Sequence, residues 1–171
     1  MLTPGSTAPD LDLPLTIKAR FVLSDQRPEA FTMLVFYRGS HCPICKQYLT
    51  ELGGRLDEFT GRGVNVFAIS MDSPERAATA HDEWDTHDLP LAHSLSEEQA
   101  RDWGLFLSEA RPDSEEPEVF SEPGLFLLKP DRSIHFEVVQ SAPFTRPDLD
   151  QLIEGIDIIA EKDYPARGTL T

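Results

Sequence analysis

The chain has 171 residues, of which 30 are acidic and 15 are lysine or arginine, so its formal net charge is −15 at pH 7. A surface of that sign repels phosphate backbones and anionic lipid, and we therefore expect neither a nucleic acid nor a membrane as partner. With 40% hydrophobic and 26% charged residues, the composition is typical of a globular protein, and the length fits a single domain over residues 1–171.

The beginning of the chain predicts a cytoplasmic location. Residues 1–5 lack the basic and apolar segments of a secretory signal, and no apolar run approaches the ~20 residues that span a bilayer. Thiols stay reduced in that compartment, so a stable structural disulfide is not expected there. Prolines interrupt residues 1–30, which we predict to be a loop-like N-terminal extension.

Strands and helices alternate through the rest of the chain, as judged from hydrophobic periodicity and from cap and breaker residues. The predicted elements are a strand over 32–37, a helix over 43–59, a strand over 64–70, a helix over 74–84, a short strand over 89–93, a brief helix over 97–103, strands over 124–129 and 133–139, and a closing helix from about 149. Gly53-Gly54 is expected to weaken the first helix midway.

This order predicts an α/β sandwich of three layers. Strands that alternate with helices favour a parallel core sheet, and the late hairpin adds an antiparallel edge, so the central sheet is mixed and flanked by helices. Residues 108–118 are polar and contain two prolines, which predicts an exposed acidic loop. The paired acids, Glu97-Glu98 and Glu115-Glu116, are interpreted as solvated.

The two cysteines of the chain lie three residues apart in Cys42-Pro43-Ile44-Cys45. They fall where a loop enters a helix, and free backbone N–H groups and the helix dipole stabilise a thiolate at that point. Pro43 suits the first helical position, where its missing N–H has no partner to lose. A thiolate attacks both disulfides and peroxides, so the sequence predicts a redox-active dithiol.

Neighbouring residues leave several interpretations open. Arg38, His41 and Lys46 could add positive charge near the sulfurs. The alternative for His41 is an exposed position in the loop, and the alternative for Arg38 is a side chain that only interacts with solvent. Inert buried cysteines are the alternative to a redox pair. Zinc prefers four ligands, and with His41 the motif offers three, so we expect no metal, and no cofactor motif is present.

The segment Phe36-Tyr37-Arg38-Gly39-Ser40-His41-Cys42-Pro43-Ile44-Cys45 resembles the active-site segment of the peroxiredoxin-like (AhpC/TSA, redoxin) family of the thioredoxin superfamily. The resemblance extends to Pro9-Asp10 and to residues 66–72, 89–105, 124–128 and 163–168. It implies a thioredoxin-like fold with N-terminal additions.

The same resemblance also indicates where this chain departs from the family. Peroxiredoxins surround their peroxidatic cysteine with a proline, a threonine and a later arginine that hold the peroxide. By this comparison Cys45 takes the peroxidatic position, while Cys42 replaces the threonine and Arg38 the proline. The arginine is expected just before Gly124, where this chain has Pro123. Thioredoxins carry a cis-proline there, which implies a dithiol site supported by a cis-Pro123. The alternative is a proline that starts an edge strand.

The two cysteines, taken with this resemblance, imply three functions. The main prediction is a thiol–disulfide oxidoreductase in which Cys42 attacks a protein disulfide and Cys45 resolves the mixed disulfide. The alternative is a thiol peroxidase in which Cys45 reacts with hydrogen peroxide or an organic hydroperoxide and Cys42 resolves the sulfenic acid. A third is a non-enzymatic redox sensor. Either enzyme needs an external thiol reductant, and a homodimer is left open as the assembly.

Overall fold

Strands and helices follow one another through residues 2–170, the part of the chain that the computed structural model describes. The strands are β1 (Asp12–Pro14), β2 (Arg20–Val22), β3 (Phe31–Phe36), β4 (Val64–Ile69), β5 (Leu91–Ala92), β6 (Leu107–Glu109), β7 (Val119–Ser121), β8 (Gly124–Leu128) and β9 (Ile134–Val139). The helices are α1 (Pro43–Gly54), α2 (Leu56–Thr60), α3 (Pro74–Glu83), α4 (Glu97–Asp102) and α5 (Leu149–Lys162).

The central sheet has the strand order β5-β4-β3-β8-β9. Strand β4 is parallel to both β3 and β5, whereas β8 is antiparallel to both β3 and β9. The predicted parallel core with an antiparallel hairpin at its edge is therefore confirmed.

Side chains of β3 alternate between two hydrophobic cores, one on each face of the sheet. Met33 and Val35 pack into the core that α1 and α5 cover, while Leu34 and Phe36 pack into the core on the opposite face. Successive side chains of a strand point to opposite faces, so a strand buried on both faces has the continuous apolar run seen here.

The N-terminal extension is more ordered than the sequence predicts. Strands β1 and β2 pair as an antiparallel hairpin, and four apolar side chains of this region are at most 2% exposed: Leu11, Leu13, Phe21 and Leu23. These residues belong to the second core, together with Ala100 and Trp103 at α4. The loop-like interpretation was wrong because apolar residues two apart bury one face of even a very short strand.

The segment predicted as an exposed acidic loop is the tip of a second hairpin, in which β6 pairs with β7. The side chain of Glu116 is only 3% exposed and lies 3.2 Å from Arg38 and 3.2 Å from Arg111. The prediction of a solvated Glu116 was therefore wrong, because two guanidinium groups balance its charge.

The break in the first long helix is confirmed: α1 ends at Gly54 and α2 begins at Leu56. A Cβ atom on Gly53 would lie 2.2 Å from the carbonyl oxygen of Thr86, so only glycine permits this close packing. None of the helices in the described residues is long and apolar enough to cross a membrane.

Candidate active site

Both cysteines lie at the N-terminal end of α1, directly after the loop that follows β3. Cys42 is the N-cap of the helix, and its Sγ accepts a hydrogen bond from the backbone N–H of Cys45 at 3.2 Å. Pro43 occupies the first turn, as predicted. Both cysteines are free thiols and are buried, with exposed fractions of 1% for Cys42 and 0% for Cys45.

The loop before the cysteines is held by Asp72, a residue to which the sequence analysis assigned no role at the site. Its carboxylate accepts the backbone N–H of Ser40 at 2.7 Å and the Nε–H of Arg76 at 3.3 Å. Gly39 has a φ of +130°, and a Cβ there would lie 2.6 Å from Asp72 Oδ1. Burial raises the pKa of Asp72, and the bond from Ser40 and the charge of Arg76 oppose that rise.

The cation nearest a sulfur atom comes from the distant loop before α5, and the sequence analysis missed it. The Nη2 of Arg146 donates to Cys45 Sγ at 2.9 Å. Tyr48 Oη donates to the carbonyl of Pro147 at 2.9 Å, and the guanidinium of Arg146 lies 5.2 Å from the centre of the Tyr48 ring. The cation expected next to Gly124 is thus supplied by another element of the fold.

Arg38 uses its side chain to hold the β6–β7 hairpin. Its guanidinium pairs with Glu122 at 3.3 Å and with Glu116 at 3.2 Å, and it lies 4.6 Å from the centre of the Phe120 ring. Two carboxylates therefore balance this charge, and Arg38 is a weaker influence than Arg146 on the pKa of Cys42. Lys46 is exposed on α1.

His41 does not supply positive charge to the sulfurs. Its ring packs on Phe120 with 4.8 Å between ring centres. Burial, followed by the charge of Arg38, lowers the pKa of His41 to about 4, so the imidazole is neutral at pH 7. The expectation of a cationic His41 was wrong, and so was the exposed-loop alternative, because the residue is half-buried.

Pro123 is not a cis-proline, since no peptide bond within residues 2–170 is cis. Its carbonyl accepts the backbone N–H of Gln140 at 2.9 Å, which extends the pairing of β8 with β9. Pro123 therefore precedes a strand, as the alternative interpretation held. That strand is internal rather than at the edge, because β8 lies between β3 and β9.

The two thiols ionise as a pair. The thiol of Cys45 donates to Cys42 and, with the Cys45 backbone N–H and the charge of Arg146, lowers the pKa of Cys42 to about 6 against the opposing effect of burial. Burial, followed by that same hydrogen bond, raises the pKa of Cys45 above its ordinary value, although Arg146 opposes the rise. At neutral pH the pair therefore holds one proton and one negative charge. Within residues 2–170, no three His, Cys, Asp or Glu side chains cluster in a way that could hold a metal ion.

Comparison with known proteins places this geometry in context. A protein of Mycobacterium tuberculosis (strain H37Rv), provisionally named a peroxiredoxin, is 32% identical over 105 residues, which are 61% of this chain and 66% of that protein. The match thus spans just under two thirds of the relative. The 1-Cys peroxiredoxin PER1 of Zea mays is 24% identical over 173 residues, covering 91% of this chain and 72% of the relative.

Solved structures show the same fold at low sequence identity. Peroxidoxin BcpB from Mycobacterium tuberculosis superposes with a TM-score of 0.68 at 19% identity, covering 95% of this chain and 94% of that one. A mutant of peroxiredoxin 6 of Arenicola marina superposes with a TM-score of 0.77 at 16% identity, covering 95% and 76%. The predicted thioredoxin-like α/β fold is confirmed. Because residues 4–137 match the sequence model of the AhpC/TSA family, this chain belongs to that family.

Proposed function

We propose that this protein is a thiol peroxidase that reduces hydrogen peroxide or organic hydroperoxides, with Cys45 as the attacking sulfur and Cys42 as the resolving sulfur. The observation that carries this proposal is the 2.9 Å contact between the guanidinium of Arg146 and Cys45 Sγ. A cation there stabilises a thiolate on Cys45 and the negative charge that develops on the leaving oxygen of a peroxide. Peroxiredoxins hold the peroxide with an arginine that this chain lacks before Gly124, and we propose that Arg146 takes that part here.

Burial also favours a small oxidant over a protein disulfide. Cys42 and Cys45 are at most 1% exposed. A peroxide molecule needs only a small opening of the loops to reach Cys45, whereas a disulfide on another folded protein needs the sulfurs brought to the surface. The buried pair thus fits a substrate of a few atoms.

The first step begins with transfer of the shared proton from Cys45 to Cys42. The Cys45 thiolate attacks the terminal oxygen of the hydroperoxide, the O–O bond breaks, and an S–O bond forms. The proton now on Cys42 goes to the leaving oxygen. Cys45 becomes a sulfenic acid, one molecule of alcohol or water is released, and Cys42 becomes a thiolate.

In the second step the Cys42 thiolate attacks the sulfenic sulfur. An S–S bond forms, the S–O bond breaks, and the hydroxide takes a proton from solvent and leaves as water. The N-terminal end of α1 and the charge of Arg146 stabilise the Cys42 thiolate for this attack. An external thiol reductant then supplies two electrons and two protons and restores both thiols. A reducing cytoplasm is the compartment that we propose for this cycle.

A second candidate function is thiol–disulfide exchange with Cys42 as the nucleophile. The position of Cys42 as N-cap and its pKa of about 6 favour it, because both are properties of a sulfur that attacks a disulfide at neutral pH. In this case Cys45 resolves a mixed disulfide on Cys42.

Single cysteine variants distinguish the two candidates. Fully reduced protein is mixed with hydrogen peroxide, and the product is followed by stopped-flow fluorescence and intact mass. For the peroxidase, wild type loses two hydrogen atoms far faster than a free thiol reacts, Cys42→Ser accumulates a sulfenic acid that dimedone traps, and Cys45→Ser does not react. For disulfide exchange, Cys45→Ser accumulates a mixed disulfide with a protein substrate, and the peroxide rate is that of free cysteine. Oxidation without turnover in the presence of excess dithiol would instead indicate a sensor.

A further inference from the structure

Arg146 has no carboxylate partner, unlike most arginines in residues 2–170. Arg38, Arg62 and Arg76 each pair with a carboxylate within 3.3 Å, whereas no ion pair found in residues 2–170 includes Arg146. The Nε of Arg146 is buried without a hydrogen-bond partner. A half-buried guanidinium held in this way keeps its full positive charge, so something other than a carboxylate fixes its position.

Tyr48 provides that second contact. It lies one helical turn after Cys45, so both side chains project from the same face of α1. The ring centre of Tyr48 is 5.2 Å from the guanidinium carbon of Arg146, and the hydroxyl donates to the carbonyl of Pro147 at 2.9 Å. Burial raises the pKa of Tyr48, so its hydroxyl remains a donor at neutral pH.

We propose that Tyr48 is a positioning residue for the reaction at Cys45, and that it acts by holding the guanidinium of Arg146 against the sulfur. The ring of Tyr48 attracts the guanidinium of Arg146, and its hydroxyl anchors the backbone of Pro147, the residue that follows Arg146. A carboxylate at this position would hold Arg146 more strongly and would also cancel its charge. An aromatic ring holds a cation without neutralising it, so the full charge is directed at the sulfur.

The loop that carries Arg146 needs such an anchor. Phe144 is 76% exposed and Thr145 is also exposed, so the two residues directly before Arg146 contribute little packing that would hold it in place. The Gln140 side chain donates to the carbonyl of Thr145, which fixes the loop from the sheet side. Tyr48 fixes the loop from the α1 side. Without Tyr48 the side chain of Arg146 regains rotamer freedom and spends less time in contact with Cys45.

The test measures the reactivity of Cys45 directly and does not require that a peroxide be the substrate. In a Cys42→Ser background, Cys45 is the one thiol in the chain, and its alkylation by iodoacetamide is followed by mass across pH. The charged and titratable groups that face the sulfurs are Arg146, Arg38 and Tyr37. Glu51 and Asp148 face Tyr48 and are retained in every variant.

We expect Tyr48→Leu to raise the pKa of Cys45 and to slow alkylation at pH 7 by about fivefold to tenfold. Tyr48→Phe, which keeps the ring and loses the hydroxyl, should slow it by about twofold to threefold. Tyr164→Leu is the matched control, because Tyr164 is 45% exposed in the C-terminal tail, and its rate should equal that of the parent. Circular dichroism confirms folding, and Tyr48→Phe carries the test if Tyr48→Leu does not fold.

A double-mutant cycle separates positioning from simple packing. If Tyr48 acts through Arg146, Tyr48→Leu has no further effect on the alkylation rate once Arg146→Gln is present. An equal loss with and without Arg146→Gln would overturn the proposal. The proposal rests on the proposed function only for the identity of the oxidant. If alkylation follows the cycle but peroxide reacts no faster than with free cysteine, the role of Tyr48 stands and the peroxidase falls.

Discussion

Replacement of Arg146 by glutamine removes an unbalanced cation that touches a sulfur of the pair. Its Nη2 lies 2.9 Å from Cys45 Sγ, which places the two charge centres about 4 Å apart. An ion pair at that separation is worth about 4 kcal/mol at an effective dielectric constant of about 20 and about 1 kcal/mol in bulk water. Arg146 is half-buried, so we expect about 2 kcal/mol for a thiolate on Cys45, the form that attacks the peroxide, and its loss should slow that attack about thirtyfold.

In the resting pair the negative charge lies on Cys42, and the charge of Arg146 is one of the smaller causes of its low pKa, about 6, so Arg146→Gln should also raise this pKa. Loss of a charged donor to the leaving oxygen should slow the peroxide reaction by a further tenfold to hundredfold or so. Both losses of rate persist at pH 9, whereas the effect on the pKa of Cys42 does not, because the pair is ionised there in both proteins.

Stopped-flow rates of the reduced protein with hydrogen peroxide, taken from pH 5 to pH 9, measure both effects. Arg101→Gln is the matched control, because it removes the same charge from an exposed site on α4, where Arg101 pairs with Glu97 at 3.6 Å. We expect its profile to match wild type. A wild-type rate and an unchanged pKa for Arg146→Gln would refute the role of this guanidinium, since no other unpaired cation contacts the sulfur within the described part of the chain.

Three further outcomes are expected from the geometry around the loop. The pKa of His41 is about 4 in the folded protein, below its ordinary value of 6.5. Between these two pH values the unfolded chain binds more protons than the folded protein, so the free energy of unfolding rises with pH from about 4 to about 6.5. Because His41 is partly accessible to solvent, we expect this change in the free energy of unfolding to be about 2 kcal/mol. His41→Phe keeps the contact with Phe120, and urea unfolding at pH 4, 5 and 7 should show that this variant loses most of the pH dependence. Gly39→Ala places a Cβ 2.6 Å from Asp72 Oδ1 at a φ of +130°, and urea unfolding should show a loss of about 2 kcal/mol or more. Gly155→Ala on α5 meets nothing within 4 Å, so it should instead stabilise by about 0.5–1 kcal/mol, and a loss of stability there would contradict the geometry.

Local patterns in the sequence were sufficient to predict the secondary structure that carries the site. The apolar run of β3, the caps Ser73 and Ser96, and the Gly53-Gly54 break all act through neighbours within about one helical turn or along one strand. Cys42 and Cys45 belong to the same class, because an N-cap and the first turn of its helix are adjacent in the chain. Such features do not depend on where the rest of the molecule lies.

Tertiary structure decided which charges reach the sulfurs. Arg38 and His41 are close to Cys42 in sequence, but Glu122 and Glu116 balance the first and burial neutralises the second. Arg146 lies 101 residues from Cys45 and outside the residues that match the family, yet it is the cation in contact with that sulfur. Electrostatic effects depend on distance and burial in three dimensions, and sequence separation measures neither. The sequence by itself therefore determined the dithiol and its helix, and only the folded chain determined which residue acts on it.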